Sequence, residues 1–182
     1  MGTWCRRYHL PMTQSADQTD LGTVLIADIV RGYRAQKLQA ERALDQLEAA
    51  DWHRTLDEDG NSIAVIVQHV SGNLRSRWTD FLTSDGEKPD RDRDGEFEAR
   101  RRMPEELLAA WDEAFAVVFG TLAALTPADL AKTITIRDQP LGVVSAILRN
   151  FEHTGHHVGQ IVLLAKHWRG PEWRTLSIPK KR

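Results

Sequence analysis

The sequence predicts an all-α four-helix bundle with a long crossover between its second and third helices. Three observations carry that expectation. Four segments repeat apolar residues at three- and four-residue spacing, the period that lines one face of a helix. A strongly charged stretch over residues 83–103 separates the second segment from the third and is long enough to travel the length of a bundle. Finally, 182 residues with 41% hydrophobic and 27% charged side chains fit one globular domain and exclude both a disordered chain and a fibrous repeat.

The first helix is expected from Leu21 to Glu48, with Ile26, Val30, Tyr33, Ala40, Leu44 and Leu47 on its apolar face and no proline inside it. The second follows Asn61 and Ser62, whose short polar side chains suit an N-cap, and is expected to reach about Leu82. Its stripe is Ile63, Ile66, Val70, Leu74, Trp78 and Phe81. The third begins at Pro104, which has no N–H to leave unpaired in a first turn, with Glu105 and Glu106 beside the positive end of the helix dipole. Leu107, Trp111, Phe115, Val118, Leu122 and Leu125 form its core face, and Thr126-Pro127 stops it. The fourth is expected from Pro140 to about Trp168, ended by Gly170-Pro171, with Leu141, Val144, Leu148, Phe151, Val158, Val162 and Ala165 as its seam. Thr133-Ile134-Thr135-Ile136 alternates with period two and reads as a short extended piece. Trp78, Trp111 and Trp168 read as packing residues, and Trp173 as a cover for a groove or subunit interface.

Composition limits the function. Lys plus Arg total 24 against 26 for Asp plus Glu, a net charge of −2, so the chain lacks the basic surplus of a nucleic-acid binder. The longest apolar stretch, Ala114–Leu125, is too short to span a bilayer, and no membrane association is expected. Cys5 is the single cysteine, which excludes an internal disulfide and a thiolate metal cluster. Residues 1–19 lack the apolar core of a signal peptide and read as a disordered tail, in which Met12 is an alternative start; Lys180–Arg182 reads as a basic tail. Residues 20–180 are then one domain, with a cytoplasmic location expected.

Histidine is the unusual residue. The chain has seven, three of them within Glu152-His153-Thr154-Gly155-His156-His157-Val158-Gly159-Gln160. His153 and His157 are four apart, so on a helix they share a face and both imidazoles reach one divalent cation. His69 sits between apolar Val67 and Val70 on the second helix, where an unpaired imidazole would be costly to bury. Side chains projecting inward from facing helices build metal sites in bundles, so His69, His153 and His157 are the candidate ligands. Three protein ligands leave a coordination position open, the pattern of a catalytic or substrate-binding site. The bland reading has His69 as a core histidine bonded to a carbonyl and the pair as a polar helix face. His156 points about 60° away from His153 and is the weaker candidate. His9, His53 and His167 read as surface residues. Asn73 and Arg77 lie one and two turns beyond His69, while Arg149 and Gln160 share the face of His153. These four are candidates to orient an anionic substrate, against the plainer role of inter-helix ion pairs or a solvated face. Glu152 is a candidate base, against the plainer reading of an exposed residue that its rotation of about 100° from His153 favours.

With these residues in place the chain resembles the DinB/YfiT-like superfamily, to which metalloenzyme activity is ascribed, and in particular a bacterial branch of uncharacterised domains. The resemblance covers about residues 20–180. It is carried by Asn61-Ser62-Ile63-Ala64, Gln68-His69-Val70, Gly72-Asn73, Arg75-Ser76-Arg77-Trp78, residues 83–89, Thr135-Ile136-Arg137 and above all His153–Gln160 followed by Ile161-Val162. The pattern of one histidine on the second helix and a His-x-x-x-His pair on the fourth falls on His69, His153 and His157. The resemblance implies an up-down-down-up bundle with a divalent metal inside, and a homodimer. It also implies a small-molecule substrate, with similar proteins including transferases that use low-molecular-weight thiols and an isomerase. A neutral three-histidine set suits Zn²⁺ or Ni²⁺, with Mn²⁺ or Fe²⁺ where water fills several positions. The expected function is thiol transfer or hydrolysis; the rival is a non-catalytic, stress-associated binding or structural bundle.

Overall fold

A computed structural model of the protein describes residues 20–100 and 102–178. The expected tails at 1–19 and 180–182, including Met12, lie outside the described residues. Four helices and a two-stranded hairpin form the fold: α1 (Leu21–Leu44), α2 (Ile63–Trp78), α3 (Pro104–Ala124), β1 (Thr133–Ile136), β2 (Gln139–Gly142) and α4 (Val143–Arg169). The main packing is α2 against α3 and α1 against α4, with α2 also meeting α4. The architecture is mostly helical, with four helices as expected, and the extended piece expected at Thr133–Ile136 is one strand of a small hairpin.

Local chemistry sets the helix starts. The Asp20 carboxylate accepts from the Thr23 N–H at 3.2 Å, and the Ser62 hydroxyl accepts from Val65 N–H at 3.3 Å, each satisfying an orphan donor of a first turn. Pro104 opens α3, and the Glu106 carboxylate accepts from the Met103 N–H at 2.9 Å. Two ends fall short of the sequence expectation. α1 stops at Leu44, and a short 3₁₀ turn over Ala49–His53 then buries Trp52. α2 stops at Trp78, where Thr79 turns extended at ψ 129° and Asp80 follows with a left-handed backbone, φ 48°. Phe81 nevertheless reaches the core, stacked on Trp78 with ring centroids 4.9 Å apart.

The start of α4 was misplaced by the sequence reading. Pro140 does not open the helix; it lies in β2 opposite Thr135, where an edge strand of a two-stranded ladder tolerates a residue without an N–H. Arg137 and Asp138 both have φ near +57°, making a tight turn whose N–H groups donate to the Asp85 carboxylate, each at 2.9 Å. Asp85 thus pins the hairpin to the connection between α2 and α3. α4 begins at Val143 and ends at Arg169, capped by Gly170 with φ +52°.

The seam of α4 is also shifted. Leu148, expected inside, is 49% exposed, whereas Val143, Ile147, Asn150, Thr154, Val158, Ile161 and Ala165 are buried. Asn150 occupies the middle of that seam. Its side-chain oxygen accepts from Tyr33 O–H at 2.9 Å and from Trp78 Nε1–H at 2.8 Å, and its amide donates to Asn73 Oδ1 at 2.8 Å. One amide thereby satisfies polar groups from α1 and α2 at the bundle centre. The surrounding core includes Tyr33, Trp78, Trp111, Phe115, Leu74, Ile147 and Ile161, all essentially inaccessible to water.

By length and apolar composition α3 (Pro104–Ala124) is long enough to cross a membrane, longer than the Ala114–Leu125 stretch suggested. Leu107, Trp111, Ala114, Phe115, Val118 and Leu122 on one of its faces are buried in the fold.

Candidate metal centre

His69 on α2 and His153 and His157 on α4 converge, each offering a ring nitrogen within 4.8 Å of the others. His69 is buried and the other two are partly exposed, so the cluster sits where the α2–α4 contact meets the surface. The Nε2 atoms of His69 and His153 are 3.2 Å apart. On the outer side, His69 donates from Nδ1 to Glu96 Oε2 at 2.9 Å, and His157 donates from Nδ1 to Gln160 Oε1 at 2.8 Å. With the proton on each Nδ1, Nε2 is the unprotonated nitrogen of both rings, and that of His69 faces His153 Nε2. His153 Nδ1 is buried without a partner among the described residues. The Phe97 ring covers one face of His69, centroids 4.5 Å apart and tilted 35°.

Glu96 comes from the connection between α2 and α3. Arg91 grips it with two bonds, Nε to Oε1 and Nη2 to Oε2, both 2.7 Å. Gln68 donates to the carbonyls of Gly95 and Glu96, each at 3.0 Å, and so ties this segment to α2. Arg91 also reaches Glu87 at 3.0 Å, and Glu87 in turn holds Arg77 and Arg137, each at 2.9 Å. Burial works against the Glu96 charge, but the bonds from Arg91 and His69 outweigh it and hold the carboxyl below its ordinary range.

Burial acts first on His153 as well, reinforced by the neighbouring His157 and His69, and pushes its pKa down from 6.5 to about 4. Burial also lowers His157, partly opposed by the Gln160 bond. At neutral pH His153 and His157 are neutral, as ligands must be. The sign of the linkage follows. Between pH 6.5 and about 4 the unfolded chain binds a proton at residue 153 that the folded chain does not. The metal-free protein should hold this contribution in full above pH 6.5, lose it as pH falls towards 4, and level off below. Thermal midpoints of wild type and His153→Gln across that window check it: the wild type should fall more steeply, and parallel curves would contradict the assignment.

Of the four candidate substrate anchors, Gln160 alone bonds to a cluster histidine, as the partner of His157. Asn73 faces the core and is held by Asn150. Arg77 is engaged with Glu87 and the Gly86 carbonyl. Arg149 is exposed on α4. Glu152 is exposed too, 4.0 Å from His156, which also points outward. His53 bonds the Arg102 carbonyl at 3.1 Å, and Trp168 lies under the Arg54 guanidinium at 4.1 Å.

The sequence reading missed Glu96 and Arg91 as neighbours of the cluster. Both lie in a run of alternating charges where no spacing relates them to α2. One faint signal existed in Gly72, a glycine interior to a helix, where alanine would be the better helix former. A Cβ there would stand 2.2 Å from Glu96 Oε1, so only glycine leaves room for the carboxylate.

Fold and site together define a helical protein with a three-histidine group able to hold a metal ion. Residues 20–182 match the model of a family described as "Protein of unknown function (DUF1572)", and the chain belongs to that family. No curated protein matches it.

Proposed function

We propose that this DUF1572 protein is a DinB-like, up-down-down-up bundle that binds one divalent cation through His69, His153 and His157 and acts on a small molecule, a low-molecular-weight thiol first among them. The observation that carries the reading is the pair of Nε2 atoms 3.2 Å apart. Two nitrogens each about 2.0–2.1 Å from a tetrahedral cation stand about 3.3 Å from one another. His69 and His157 also turn their protons outward, which makes Nε2 the unprotonated nitrogen that a cation would take on each ring. A neutral nitrogen set favours Zn²⁺ or Ni²⁺, with Mn²⁺ or Fe²⁺ as the weaker-binding alternatives.

When bound, the cation supplies Lewis acidity towards a thiol or a water, the chemistry of thiol transfer or hydrolysis. The chain's own residues do the rest. His153 and His157 stay neutral through burial, Glu96 and Gln160 hold the outward protons at Nδ1, and Phe97 keeps water from one face of His69. Elemental analysis of tag-free protein tests the reading: close to one divalent metal per chain is expected, and His153→Ala should abolish it. Preparations that lack metal and reload weakly would favour a non-catalytic bundle. Crystals of loaded protein soaked with low-molecular-weight thiols test the substrate class, with sulfur expected at about 2.3 Å from a zinc ion. A cytoplasmic homodimer completes the proposal; light scattering that gave the 20.6 kDa of a single chain at micromolar concentration would count against the dimer.

A further inference from the structure

We propose that Glu96 is the positioning residue of the histidine cluster, held by Arg91 and admitted by Gly72, and that it commits His69 to the cation by accepting the hydrogen bond of its Nδ1–H. The inference rests on the metal-binding reading above but concerns residues of the α2–α3 connection.

Four observations converge on Glu96. The carboxylate is 7% exposed, so its bond to His69 is made where water does not compete. It accepts from Nδ1 at 2.9 Å, and an ionised carboxylate can only accept, which places the ring proton on Nδ1 and the lone pair on Nε2. An unconstrained His69 would lose this choice of tautomer, and with it part of its readiness to ligate. Arg91, with its side chain 4% exposed, clasps both carboxylate oxygens and so fixes the plane in which Glu96 meets the ring. Gly72, one turn after His69 on α2, supplies the space: any Cβ there would collide with Glu96 Oε1.

A plainly structural Arg91–Glu96 pair would pin the connection to α2 and do nothing more. The two roles separate in Gly72→Ala. That change removes no polar group and raises helix propensity by about 1 kcal/mol, yet it must displace the carboxylate. Zinc competition against a chromophoric chelator should show Gly72→Ala and Glu96→Gln binding roughly 10- to 100-fold more weakly than wild type. His156→Ala is the control and should bind as wild type. In parallel, ¹⁵N spectra of the metal-free protein should show His69 protonated at Nδ1 in wild type and redistributed towards Nε2–H in Gly72→Ala. Urea midpoints of each variant identify any that fail to fold.

The outcomes are distinct. Wild-type zinc affinity in both folded variants, or an Nε2–H tautomer of His69 in wild type, overturns the role of Glu96. Wild-type protein that binds no zinc overturns the metal-binding reading instead, while the tautomer in the metal-free protein still reports on the Glu96–His69 bond.

Discussion

Divalent metal at a hundredfold excess over its Kd should stabilise the folded chain by about 2.7 kcal/mol, because the cation binds a site that only the fold assembles. For a domain of this length that is a rise of roughly 5–10 °C in thermal midpoint. The ligands come from α2 and α4, so the cation clamps the two helices together. His69→Ala alone should therefore remove most of the effect, although residue 69 lies 84 positions from His153. His156→Ala should leave it nearly intact, since that ring points outward towards Glu152. The stabilisation should fade as pH falls towards about 4, where His153 takes up a proton and can no longer ligate. Thermal scans with and without chelator on these variants decide the matter. A loss that followed His156 instead of His69 would remove the constellation.

The second large effect lies away from the cluster. Asn150→Leu should destabilise the protein by roughly 3–5 kcal/mol, because it strands three buried groups at once and each costs about 1–3 kcal/mol when left unpaired. Those groups are the Tyr33 hydroxyl, the Trp78 indole N–H and the Asn73 side-chain oxygen. Leu148→Ala, two positions away, should cost no more than about 0.5 kcal/mol because the side chain is largely in water. Urea unfolding measures both. The comparison inverts the usual expectation that leucine supports a helix seam and asparagine interrupts it. A larger cost for Leu148→Ala would mean that α4 presents a different face to the core.

What the sequence determined by itself is local or periodic. Apolar spacing marked all four helices, and the side chains of Asp20, Ser62 and Pro104 sit at starts that need only neighbouring residues. The alternation in Thr133–Ile136 announced an extended piece, and the i, i+4 relation of His153 and His157 put both on one side of α4. His69 was legible as an imidazole with apolar neighbours and a need for a partner.

Tertiary structure decided whatever depends on what lies opposite. Pro140 fell into a strand because its ladder partner, Thr135, and the Asp85 carboxylate under the turn are contributed by other segments. Val158 and Ala165 kept their expected places in the α4 seam, but Ile147, Asn150 and Ile161 replaced Leu148, Phe151 and Val162. Part of the reason is that Asn150 and Thr154 offset their desolvation through bonds that hydropathy cannot register. Asn73 and Arg77 share a side of α2 with His69, yet Asn150 and Glu87 engage them first. Glu96 was the furthest from view. In a charged run every acid looks solvated, and one of them became a buried partner of His69 because α2 offers a glycine at position 72 and the connection brings Arg91 alongside. Periodicity encodes which face a helix turns inward; it carries no information about which distant side chain will satisfy the polar atoms found there.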